Sequence, residues 1–275
     1  MTTRIVPSTP VKEGAGVIVH RSIGMPGVGR HDPFLMLDHF ATENPDDYIA
    51  GFPSHPHRGF TTLTYMLDGK MRHKDSMGNE GVVNSGDAQW MKAASGVIHS
   101  EIPEQEDGAM QGFQLWINLP AVNKMDNPDY QDILAESIPI LDTDFGQVKV
   151  MAGQFQGVAG PLTDDDRNLQ FFDVHISAEQ TGTFQLPADN NSFVFIHSGQ
   201  GNLNNSSVKD KDLVLMESQA SVEIHATSNM HVIIVSGKPI NEPIYQHGPF
   251  VMNTREEIET AFYDYQQGKL VRAST

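Results

Sequence analysis

An all-β chain of two domains of similar size, followed by one α-helix, is what this sequence predicts. Turn signals recur at short intervals, the segments between them are β-branched or aromatic, and the same texture appears twice along 275 residues. Many short strands with frequent turns argue for a sandwich or barrel. The length suits two domains of moderate size.

In the first half, Asp68-Gly69, Gly78-Asn79, Ser85-Gly86-Asp87 and Ser95-Gly96 punctuate strands predicted at 60–67, 70–75, 88–91, 97–102 and 110–119. Residues 120–139 are proline-bounded and polar and read as the connection, so the domains are placed at 1–125 and 126–275. In the second half, strands are predicted at 148–155, 171–176, 193–197, 212–216, 221–227 and 231–236. Residues 160–168, with Asp164-Asp165-Asp166, read as a solvated surface loop. Thr254 followed by Glu257 is a capping-box pattern. Ile258, Ala261, Phe262 and Tyr265 then form one apolar stripe, and Gly268 sits where a helix C-terminus favours a left-handed residue. A helix over about 254–267 follows.

Hydrophobic residues make up 39%, with 14 Phe and 13 Met, enough for a substantial core. The absence of cysteine excludes disulfides, thiolate metal sites and a cysteine nucleophile. A formal charge of −17 disfavours direct contact with nucleic acid, which relies on basic side chains, and still permits a protein partner. No apolar run approaches the ~20 residues needed to span a bilayer. The N-terminal stretch lacks the apolar segment of a signal peptide, and a cytoplasmic protein is expected.

The chemistry is concentrated in two short pairs, His55-x-His57 and His99-x-Glu101. On a strand, residues i and i+2 share a face. If the two segments lie on facing or neighbouring strands, three imidazoles and one carboxylate converge, a set that suits a first-row divalent metal. A six-coordinate ion would keep two positions open for reaction. Gly59 and Gly96 permit close backbone approach beside these residues. With 12 histidines some pairs arise by chance, and His73-x-Asp75 is another polar pair at the same spacing. Gln114 and Trp116 share a strand face, and Phe52 lies near the first pair; these three are candidate pocket residues. Arg58 and Ser100 point away from the ligand face if the strands are regular.

The run His55-Pro56-His57-Arg58-Gly59-Phe60 resembles the signature of the pirin family of the cupin superfamily. So do Gly86-Asp87-Ala88-Gln89-Trp90-Met91 and Gly96-Val97-Ile98-His99-Ser100-Glu101, and similar likeness is found at 32–40, 112–120 and 248–254. The resemblance implies a bicupin of two stacked antiparallel β-barrels. It implies one metal, usually iron, in the N-terminal barrel, on His55, His57, His99 and Glu101. Manganese, cobalt, nickel, copper and zinc also suit such donors. There are two departures: Thr61 and Thr62 follow Phe60 where the family often has Glu, and Ala94 stands where glycine is common. In the second half, 193–201 resembles a cupin strand and its glycine turn. No H-x-H follows there, and His175, His197, His225 and His231 are scattered singly, so no second metal is expected.

For several members the resemblance implies a quercetin 2,3-dioxygenase activity, with a small aromatic substrate and O2. Glu101 would take the proton of the flavonol 3-hydroxyl, being the one carboxylate of the set. Dioxygen would then open the electron-rich ring with loss of carbon monoxide. The alternative the resemblance carries is an iron-dependent regulator that binds a transcription factor or a metabolic enzyme.

Overall fold

The computed structural model describes residues 3–105, 107–164 and 166–272. The chain forms two compact units that interleave along the sequence. One, the histidine unit, takes residues 10–26, 34–135 and the segment from 240 onward; the other takes the segment ending at residue 9, residues 27–33 and 136–239. These units are not contiguous halves divided at 125/126, and strand pairing gives the reason. Asp129–Ile133 pairs with Ala88–Lys92 inside the histidine unit, and Thr3–Pro7 pairs with Asp212–Glu217 inside the other.

Both units follow one plan: a seven-stranded sheet, a four-stranded sheet and a two-stranded hairpin. In the histidine unit the larger sheet runs Asp129–Ile133, Ala88–Lys92, Phe60–Asp68, Met110–Asn118, Phe34–Thr42, Val17–Arg21, Thr9–Glu13. Its smaller sheet runs Phe52–His57, Val97–Pro103, Lys70–Asp75, Glu80–Asn84, all antiparallel. Among the described residues each unit is thus a pair of sheets, not one closed ring of strands. The other unit buries alternate residues of its larger sheet, among them Phe172, Val174, Val194, Ile196, Val232 and Ile234. Those residues share one face by the period-2 geometry of a strand, and the intervening Phe171, Phe193, Phe195, Ile233 and Val235 are buried as well, so these central strands are covered on both faces.

Most predicted strands lie within a residue or two of the observed ones. The strand predicted at 148–155 is broken. Gly153, at φ +76, turns the chain from Gly146–Ala152 into the hairpin of Gln154–Phe155 with Val158–Ala159. The loop at 160–168 is not simply solvated. Asp164 and Arg167 form an ion pair at 2.5 Å with both side chains buried; Asp165 lies outside the described residues. No helix among the described residues is long and apolar enough to cross a membrane.

The helix is Arg255–Gln266, and both halves of the Thr254/Glu257 capping box are formed. Ile258 and Ala261 are buried against Phe250, Met252 and Leu270, with Phe262 half-buried on them. Tyr265, assigned to the stripe, is 40% exposed instead.

The loop joining the two sheets near the histidines has special backbone needs. Gly59 sits at φ +90 and donates its N–H to the Ala94 carbonyl at 2.8 Å; a Cβ here would stand 1.9 Å from the Val251 carbonyl oxygen. Ala94 itself is held at φ +41, which explains why glycine suits that position. Ala94→Gly is expected to stabilise the protein by about 0.5–1 kcal/mol. Gly59→Ala is expected to destabilise it by at least about 2 kcal/mol, because backbone strain and overlap add. Urea unfolding of both variants checks the pair of signs.

Candidate metal centre

Two neighbouring strands bring the histidines together. Phe52–His57 pairs antiparallel with Val97–Pro103 so that His99 stands opposite His55 and Val97 opposite His57. Alternation in Val97–Pro103 turns Val97, His99 and Glu101 inward, and a bulge between His99 and Glu101 shifts the register so that Glu101 faces Phe52. The ligand-type nitrogens of His55, His57 and His99 all lie within 4.8 Å of one another. His57 and His99 are 2% exposed, whereas His55 is half-buried beside exposed Pro53 and Ser54 and marks the solvent side.

These three residues fit a metal. His55 Nδ1 donates to the Pro53 carbonyl at 2.8 Å, which leaves Nε2 as the lone-pair nitrogen. That Nε2 lies 3.0 Å from His57 Nε2. Two nitrogens each 2.0–2.1 Å from one ion and at right angles about it would be about 2.9 Å apart. Both ring nitrogens of His99 are buried without a hydrogen-bond partner, which is costly unless something else satisfies them. Burial, and then the neighbouring imidazoles, hold His57 and His99 well below the usual imidazole range; a Pro249 carbonyl works the other way at His57. Neutral imidazole is the form that ligates.

Glu101 is 3% exposed but lies outside the three-histidine group. Its Oε1 accepts from Thr64 Oγ1 at 3.1 Å and Gln114 Nε2 at 3.1 Å, and its Oε2 accepts from Gln114 Nε2 at 2.9 Å. Those donors come from the larger sheet, where Thr64 and Gln114 are direct cross-strand neighbours. A narrow cavity of ≈10 Å³ adjoins the carboxylate, with Phe52 and Gln114 in its wall. Trp116 is not in that wall. It stacks on Phe60 at 4.2 Å, meets His57 edge-on at 5.1 Å and donates Nε1–H to Gln114 Oε1 at 3.3 Å. Its contacts thus run to Phe60, His57 and Gln114.

Sequence reasoning missed several supports. His73 is fully buried opposite Glu101, its ring centroid 5.3 Å from that of His99, and its Nε2 donates to Asp75 at 3.2 Å. Burial acts to raise the Asp75 carboxyl, but hydrogen bonds from His73 and Asn79 outweigh it and hold it below the usual range. The i, i+2 spacing of His73 and Asp75 was the available signal. Arg58, placed away from the ligand face, is 1% exposed: it donates to the Ser95 carbonyl at 2.6 Å and pairs with Asp264 of the helix at 2.8 Å. Lys124 is buried too, bridging the Gly59 and Val251 carbonyls and Asn118 at 2.6, 3.0 and 2.6 Å. In the other unit His231 pairs with Asp173 and His225 meets Thr181 Oγ1 at 3.0 Å.

The depressed imidazoles give a pH signature. Unfolded histidine protonates near 6.5, while folded His57 and His99 resist protonation, so below about pH 6.5 the unfolded chain binds more protons. Metal-free protein is expected to lose stability as pH falls from 7 to 5, by up to ~1.4 kcal/mol per pH unit for each imidazole. Urea midpoints across that range measure it. His99→Gln is expected to flatten the slope; an unchanged slope would show that His99 is not the group responsible.

The Pirin family model matches residues 16–117, and the model for the Pirin C-terminal cupin domain matches 171–271. A Pseudomonas aeruginosa protein provisionally named a quercetin 2,3-dioxygenase is 46% identical over 269 residues, covering 95% of this chain and 94% of that protein. A pirin-like protein of Caulobacter vibrioides is 43% identical over 268 residues, covering 97% of each. The crystal structure of quercetin 2,3-dioxygenase from Acinetobacter baumannii superposes with a TM-score of 0.90 at 32% identity, over 97% of this chain and 96% of that one. With two cupin-like domains, an intact histidine cluster and matches along nearly its whole length, the chain belongs to the pirin family.

Proposed function

We propose that this chain is a metal-dependent oxygenase that opens a flavonol or a similar flat polyphenol with dioxygen, quercetin 2,3-dioxygenation being the reference reaction. The observation that carries the reading is the cluster of three converging imidazoles, two of them buried and held neutral, next to a carboxylate-walled cavity. Likeness to the Pseudomonas and Acinetobacter proteins supports the reaction class. His55, His57 and His99, with Glu101 as the carboxylate of the set, would hold one divalent metal, iron first among the candidates. When bound, the metal supplies Lewis-acid stabilisation of the substrate oxyanion and a template for the reactants.

The chain's own residues handle the proton. Glu101 Oε1 already accepts two hydrogen bonds and Oε2 one, so Oε2 is the freer acceptor for a phenolic proton. Thr64 and Gln114 fix the carboxylate in advance, which avoids reorganisation when charge moves. As folded, the cavity holds about one water, so a substrate must displace its wall. Phe52 is half-buried and Met71 has a flexible thioether, so these two side chains are the ones to move. Once seated, an aromatic ligand against Phe52 and Met71 excludes water from Glu101.

One observation favours the regulatory reading. A groove of ≈420 Å³ beside the helix is lined by His247, Ile258, Phe262 and Tyr263, on the segment that Arg58 ties to the histidine strand.

Oxygen uptake with quercetin, coupled to metal analysis, tests the oxygenase. Wild-type protein is expected to carry metal and turn over. His55→Ala with His99→Ala is expected to lose both. Glu101→Gln is expected to keep metal on the three imidazoles while turnover drops by at least about 100-fold. Full turnover in the double histidine variant would sink the proposal.

A further inference from the structure

The cavity beside Glu101 has a charged wall that the proton-transfer chemistry does not use. Asp38 lines it, with a side chain 6% exposed, in the company of Val19 and Phe40. Arg21 grips the carboxylate with both arms, Nε to Oδ1 at 2.7 Å and Nη2 to Oδ2 at 2.6 Å, and is itself paired with Glu13 at 2.8 Å. Register places Asp38 directly opposite Gln114, and Gln114 directly opposite Thr64. The three polar side chains therefore form a row across adjacent strands, at about 4.8 Å per strand: Thr64 and Gln114 hold Glu101, and Asp38 stands one strand beyond Gln114.

Stability alone is a weak reason for a carboxylate in this place. A buried ion pair is often no better than well-packed apolar residues, because desolvation offsets its attraction. Burial does push the Asp38 carboxyl up, against the pull of Arg21. Arg21 occupies one acceptor direction on each oxygen, and a carboxylate oxygen has a second. A cavity with apolar walls and a few placed polar groups is the form a ligand site takes.

We propose that Asp38, held by Arg21, is a specificity-determining residue that accepts hydrogen bonds from hydroxyl groups on the far ring of a polyhydroxylated aromatic substrate whose reacting hydroxyl sits at Glu101. This rests on the oxygenase reading for the site and adds which substrates it takes: phenols hydroxylated at both ends in preference to those hydroxylated at one.

The test compares quercetin, whose pendant ring carries two hydroxyls, with galangin, whose pendant ring carries none. Two readouts are taken on metal-loaded protein: kcat/KM by oxygen uptake, and Kd by anaerobic calorimetry, which needs no turnover. Wild type is expected to prefer quercetin by about tenfold or more, the scale of a hydrogen bond to a charged group. Asp38→Asn is expected to collapse that preference toward unity, with galangin affected much less and metal content retained. If Asp38→Asn folds poorly, Asp38→Glu keeps a carboxylate for Arg21 but displaces it, and is expected to erode the same preference. Binding that discriminates through Asp38 without any turnover would uphold the inference and remove the oxygenase reading. Turnover with a preference indifferent to Asp38, equal losses for both flavonols, or binding of neither would overturn the inference.

Discussion

The register between Phe52–His57 and Val97–Pro103 is the constraint on which the site depends. Placing His99 opposite His55 turns two sequence pairs, 41 residues apart, into one cluster of nitrogens. A slip of one residue would send His99 to the other face of the sheet. The surroundings secure this register. Val97–Pro103 is flanked on its second edge by Lys70–Asp75, so it is a central strand with both edges paired. Beyond the strand ends, the buried cations Arg58 and Lys124 tie the backbone at 58–59 and 95 to the C-terminal segment through carbonyl oxygens and Asp264. The helix carries no chemistry of its own, yet through these contacts it helps hold the strand that carries His55 and His57.

The two sheets of the histidine unit divide the work. The smaller sheet supplies the imidazoles and Glu101; the larger supplies Thr64, Gln114 and Trp116, which orient the carboxylate and back His57. Neutral imidazoles and a hydrogen-bonded carboxylate can be buried side by side because each has its charge suppressed or its lone pairs met. His99 is the exception, with neither nitrogen satisfied by protein. That local deficit points to an ion more directly than the proximity of the rings does.

Much of this was legible in the sequence, for physical reasons. Period-2 alternation with glycine and asparagine turns exposed most strands, and the capping box located the helix to within a residue. The i, i+2 spacing of His55, His57, His99 and Glu101 put each pair on one strand face. What alternation cannot show is which strands pair. Thr3–Pro7 and Asp129–Ile133 therefore joined units other than those their positions suggested. For the same reason the row of Asp38, Gln114 and Thr64 was invisible, since it exists only across strands. Trp116 shares a strand face with Gln114 as read, but it packs on Phe60 and His57 and does not line the cavity.

Anomalous diffraction from crystals of protein produced with iron, recorded on both sides of the iron edge, tests the central claim most directly. The account requires one edge-dependent peak per chain at His55, His57 and His99. Fully iron-supplemented protein whose maps show no peak there, or show it at another group of side chains, would contradict it.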